Sequence, residues 1–142
     1  MTDRRAELLD GATAWVIEHG LSTLSLRPVA KALGTSDRML IYWFGSRDGL
    51  LAAIAEHAGE GLSLAMPTVD PAAPPLTPRA WLDQCWGLFS DPVVRPGLAL
   101  LFELDALGAR SPGPARDAAR RTADRWIEVV DGALAALGVP AG

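Results

Sequence analysis

The stretch Leu24–Leu50, LSLRPVAKALGTSDRMLIYWFGSRDGL, decides how the rest of the chain is read. Ser25 stands where a hydroxyl can cap a helix, with Arg27 and Pro28 in the first turn and Gly34 as the stop after Leu33. Proline is tolerated there because first-turn amides have no acceptor inside the helix. Since Pro28 has no N–H, the cap bond from Ser25 is expected at the amide of Arg27. A turn follows, and Ser36 caps a helix predicted over Asp37–Trp43 and stopped by Gly45. Ser46 opens a longer helix from Arg47 to about Leu64. Two short capped helices around a glycine turn are the outline of a helix-turn-helix, whose second helix enters the major groove of DNA.

The residue types in this stretch suit that task. Arg38, near the start of the second helix, can donate two bonds to guanine O6 and N7. Arg27 can reach a base or a phosphate. At the far end, the hydroxyl of Tyr42 and the indole N–H of Trp43 can meet phosphate oxygens. Arg47 opens the fourth helix, where free amides and the dipole also favour an anion. Blander readings stand beside these. Arg38 can be a solubilising charge, Arg27 and Arg47 can pair with Asp37 or Asp48, and Trp43 can pack in the core beside Phe44.

Working outward, Leu8, Leu9, Ala12, Trp15 and Val16 form one stripe of a helix over Asp3–His19, ended by Gly20. Residues 67–78, PTVDPAAPPLTP, hold five prolines in twelve positions and are expected to form an extended linker. Thr77 and Pro78 then start a fifth helix through Ser90. A sixth is expected over Pro96–Ala109, a break at Ser111–Pro114, and a seventh over Ala115–Leu137. That last helix carries Ala119, Ala123, Trp126, Val130, Leu134 and Leu137 on one stripe. Strand alternation is hard to find, so the expected fold is all-α. In the second region Trp81, Trp86, Phe89, Phe102 and Trp126 either line a pocket for an apolar or aromatic molecule or form ordinary core. Asp105 shares a face with Leu98, Leu101 and Phe102, as an anchor for a ligand's polar end or as a helix-edge acid.

Composition sets the outer limits. The chain has 142 residues and a formal net charge of -4. Residues 1–50 balance six basic against six acidic side chains, so the negative excess lies further on. Such a distribution excludes a nonspecific polycation but allows a few arginines to bind DNA locally. The single cysteine, Cys85, fits a small buried apolar group better than a redox switch and excludes an internal disulfide. Two histidines, His19 and His57, offer no metal-ligand spacing. No apolar run exceeds six residues and no leader pattern opens the sequence, so a cytoplasmic protein without membrane association is expected. No nucleophile–base set or phosphate-cradling loop can be assembled, so neither an enzyme nor a cofactor is expected.

Taken in order, these motifs carry a resemblance. Ser25-Leu26-Arg27, then Ala30-Lys31-Ala32-Leu33-Gly34, then Ser36 through Phe44, then Ser46-Arg47-Asp48-Gly49-Leu50 resemble the DNA-binding region of the TetR family of one-component transcriptional regulators. The likeness runs over about residues 5–137. It implies an N-terminal three-helix DNA-binding domain with a helix-turn-helix (1–50) and a helical ligand-binding and dimerisation domain (51–142, with the linker at 67–78). It also implies that the chain stops where the family's two dimerisation helices would begin. By the same resemblance, Ser25, Arg27, Asp37, Arg38, Met39, Tyr42, Trp43 and Arg47 contact double-stranded DNA, while Leu40 and Phe44 fill the core. The implied function is that of a ligand-responsive repressor, a homodimer on a pseudo-palindromic operator, released by a small-molecule inducer. Ile41 stands where the family usually has tyrosine, Trp43 where it has histidine or another aromatic, and Asp37 where a basic or neutral group is common. A rival reading keeps the fold without DNA binding, as a helical small-molecule-binding or protein-interaction module.

Overall fold

Local chemistry at the helix ends sets the architecture. The computed structural model describes residues 4–70, 72, 76–110 and 112–140. Among these, seven α-helices follow one another with no strand: α1 (Arg4–His19), α2 (Leu26–Ala32), α3 (Asp37–Phe44), α4 (Arg47–Ala65), α5 (Pro78–Ser90), α6 (Arg95–Arg110) and α7 (Pro114–Ala136). One 3-10 turn, Leu21–Thr23, joins α1 to α2. The expected boundaries agree to within a residue or two. Asp3, Ser111 and positions 71 and 73–75 of the expected linker lie outside the described residues.

Three of the expected caps form. Ser36 Oγ accepts from the Met39 amide at 3.3 Å, Ser46 Oγ from Gly49 at 3.0 Å, and Thr77 Oγ1 from Ala80 at 3.2 Å. The Ser25 cap is a correction. Its backbone is extended as an N-cap requires, but its side chain accepts no cap bond. With Pro28 at the third helical position, the most favourable donor is missing, and the amide of Arg27 does not replace it. The hydroxyl of Ser25 is exposed instead. At the other end of α2, Gly34 takes φ +62°, and the amides of Thr35 and Gly34 bond back to the carbonyls of Ala30 and Lys31. This left-handed closure needs a residue without a Cβ and turns the chain toward α3 within three residues.

Two apolar clusters hold the helices together. The first joins Leu8, Ala12 and Val16 of α1, Val29 of α2, Leu40 and Phe44 of α3, and Leu50, Leu51 and Ile54 of α4. Leu100 and Leu104 of α6 and Ala118 of α7 belong to it as well. Burying each of the larger side chains contributes about 1.5–3 kcal/mol, which no helix of seven or eight residues could obtain alone. The second cluster centres on Met66, Trp81 and Cys85, with partly buried residues of α5 and the later half of α7 around it. The first half of α4 packs on the N-terminal helices, Gly59 and Leu62 are buried further along, and Met66, just past its end, enters the second cluster. Where α4 crosses α7, Gly59 touches the side chain of Thr122, and Arg121 donates through Nε and Nη2 to Glu56.

Candidate nucleic-acid interface and ligand cavity

The α3 helix divides into two faces. Stepping about 100° per residue, Ile41, Arg38, Tyr42 and Met39 fall on one arc, with Leu40 and Phe44 opposite. The structure buries Leu40 and Phe44 and exposes the other four, Tyr42 to 73%. Packing of Leu40 and Phe44 against the N-terminal core therefore turns Arg38 and Tyr42, one helical turn apart, to solvent. Asp37 is half-buried at the edge of that arc. On α2, Arg27 is exposed, and neither it nor Arg38 forms an ion pair among the described residues.

Two of the sequence-predicted contacts are placed differently. The ring of Trp43 is half-buried against the first cluster and meets Tyr42 edge-on at 5.0 Å. Its indole N–H is buried without a hydrogen-bond partner, so the donor expected to face a phosphate is enclosed. Arg47 is exposed, but its Nε donates to the backbone carbonyl of Leu24 at 2.9 Å, and its Nη1 lies 3.5 Å from Asp48 Oδ1. The guanidinium thus bridges the segment before α2 and the start of α4.

A cavity of about 280 Å³ opens between α4, α5, α6 and α7. Phe89, Phe102, Asp105 and Trp126 line it, and the rings of Phe89 and Trp126 lie 5.6 Å apart. Among the described residues Asp105 is its only charged one, and Thr122 adds a hydroxyl. Trp81 and Trp86 are not brought there. Trp81 is 2% exposed in the second cluster and donates to the Pro67 carbonyl at 2.9 Å, fastening α5 to the segment after α4. Trp86 is 73% exposed on another face of α5. The α4 contribution, Ala55, Gly59 and Leu62, went unpredicted because small residues and an ordinary leucine in a helix carry no local signal of a cavity. Among the described residues no group of three His, Cys, Asp or Glu could hold a metal ion, and no helix is long and apolar enough to cross a membrane.

Comparison with known proteins agrees with this geometry. The description "Bacterial regulatory proteins, tetR family" matches residues 8–59, which run from α1 into α4. Over residues 8–59 the chain is similar to the TetR family. Its helix-turn-helix lies within that matched region, and the family is described as one of bacterial regulatory proteins. Two curated relatives are HTH-type transcriptional regulators named BetI, from Burkholderia thailandensis (39% identical) and Paraburkholderia phymatum (37% identical). In each, the match runs over 54 residues, 38% of this chain, and spans only 28% of the relative's length. A solved structure, that of the multidrug binding protein EbrR complexed with proflavin, superposes with a TM-score of 0.66 at 28% identity. That likeness covers 97% of this chain and 78% of the EbrR chain, so the likeness in fold to EbrR extends through the later helices.

Proposed function

We propose that this chain is a ligand-responsive transcriptional repressor, binding a pseudo-palindromic site on double-stranded DNA as a homodimer in the cytoplasm. Residues 1–50 serve as the reading head and residues 51–142 as the regulatory region. The observation that carries the reading is the outward placing of Arg38 and Tyr42 on α3 over the inward Leu40 and Phe44. Arg38 reads a guanine through two hydrogen bonds, and Met39 offers an apolar contact to a thymine methyl. Asp37 accepts from a cytosine amino group or steadies Arg38. Tyr42, Ser25 and Arg27 position the head on the phosphates. Trp43 supports the α3 core side.

The cavity takes a flat aromatic molecule carrying positive charge. Aromatic walls, a single carboxylate and a mostly apolar lining favour such a ligand, and the likeness to EbrR, complexed with proflavin, supports it. Its effect is a population shift toward a dimer whose two α3 helices no longer match major grooves about 34–36 Å apart.

The test is a gel-shift titration at several salt concentrations, on a duplex that the protein itself enriches from a random-sequence pool. Affinity should fall steeply with salt, and proflavin should release the duplex. Arg38→Ala should cost about 1–3 kcal/mol and relax preference at one base pair. Absence of any salt-dependent DNA binding would leave the rival, a helical binding module, in its place.

A further inference from the structure

Among the described residues no backbone amide donates to the carbonyl of Leu24. It precedes α2, whose first helical bond runs from the Val29 amide to the Ser25 carbonyl, and the residue four positions on from Leu24 is Pro28, which has no N–H. Leu24 itself is 3% exposed, so its backbone lies where water is scarce. Arg47 supplies the missing donor through Nε at 2.9 Å, across 23 residues of sequence. The same guanidinium is turned toward Asp48, which offsets part of its charge. Arg47 and Asp48 also form one wall of a cleft of about 210 Å³, whose other side is Leu107 and Gly108 of α6 with Pro114 and Arg116 of α7.

We infer that Arg47 is a positioning residue for DNA reading, not a phosphate contact: it sets the approach to α2, and so the α2–α3 pair, against the start of α4 where the regulatory helices meet the head. This rests on the DNA-binding reading above. The bond satisfies an acceptor that the sequence leaves orphaned, and an orphaned, poorly hydrated carbonyl is costly enough to hold the geometry. Because the side chain joins α4 to the segment before α2, a shift of α4 carries the reading helices with it.

Two substitutions separate the roles, because each keeps one half of the side chain's chemistry. In Arg47→Lys a methylene occupies the place of Nε while the positive charge remains. In Arg47→Gln an amide nitrogen occupies the place of Nε while the charge is lost. Both are titrated in full-length protein against the duplex enriched by the parent, across a salt series. Positioning predicts that Arg47→Gln binds within about twofold of the parent with an unchanged salt slope. Arg47→Lys should weaken binding roughly tenfold, the cost of one unmet buried acceptor, also at unchanged slope. Hydrogen exchange supplies a readout without DNA: the amides of Val29 and Ala30 should exchange faster in Arg47→Lys and as in the parent in Arg47→Gln. A lysine variant that binds like the parent, beside a glutamine variant whose salt slope falls by about one, would overturn positioning in favour of a phosphate contact. Unaltered exchange in α2 for the lysine variant would overturn it too. Failure of the parent to enrich any duplex would instead remove the DNA reading, and this role with it.

Discussion

Gly59 of α4 rests directly against the side chain of Thr122 of α7, and both residues face two spaces at once. On one side lies the apolar cavity. On the other lies a charged groove formed with Glu56, Glu60, Arg121 and Arg125. A Cβ at position 59 would fall within the threonine side chain, so the glycine is what lets the two helices cross here.

Gly59→Ala therefore sets two effects against each other. Alanine gains about 1 kcal/mol in helix propensity, whereas forcing a methyl group into a packed crossing costs about 1–3 kcal/mol. The steric loss should win, because the Thr122 Cβ as well as its terminal atoms stand in the way. The single variant should lose stability in urea unfolding, and adding Thr122→Ala should recover most of it. A Gly59→Ala protein more stable than the parent would show that the crossing has slack.

The serine caps predict a contrast. Ser46→Ala removes an acceptor that the Gly49 amide uses, and should cost about 0.5–2 kcal/mol of stability. Ser25→Ala removes no cap bond and should alter stability by less than about 0.5 kcal/mol. If Ser25 meets DNA, its alanine variant loses affinity at unchanged stability. Melting temperatures and gel shifts on the two proteins settle both points.

How much of this was readable beforehand depends on whether the signal was local. Helix ends were legible because caps and left-handed glycines act within a few residues, as at Ser36, Ser46 and Gly34. The outward face of α3 was legible too, since a short amphipathic helix has one way to bury Leu40 and Phe44. Ser25 failed because the proline that made α2 recognisable also removed the donor its cap needs. On α5, Trp81 and Trp86 look alike in sequence, yet only the stripe through Trp81 and Cys85 meets the second cluster. That choice belongs to tertiary packing. The Arg47 to Leu24 bond spans 23 residues and has no local signature at all.

Asp105 gives a prediction with a built-in control. Its carboxylate is solvent-exposed at the cavity, so its pull on a bound cation is screened. Asp105→Asn should weaken proflavin roughly two- to fivefold in a fluorescence titration, and leave a neutral aromatic of similar size unaffected. Phe102→Ala should weaken both, because it removes a ring that either ligand would cover. Equal losses of the two ligands in Asp105→Asn would argue that the carboxylate acts on the shape of the cavity instead of on charge.

Cys85 yields a pH prediction whose sign follows from its surroundings. Packed with Met66 and Trp81, its thiol is pushed above the ordinary range because burial disfavours the thiolate. The folded protein thus holds this proton more tightly than the unfolded chain, where the group titrates at about 8.5. The resulting stabilisation is fully present below that value and is lost as pH rises through the folded one. Urea unfolding from pH 8 to 10 should show the parent losing stability more steeply than Cys85→Ala, the difference isolating this thiol from other groups that titrate there. Iodoacetamide should likewise modify the native protein far more slowly than the urea-unfolded chain at pH 8, since both thiolate fraction and access are reduced. Parallel pH slopes for parent and variant would mean that the second cluster admits water to the sulfur, and with it that α5 is not held as closely as Trp81 and its bond to Pro67 require.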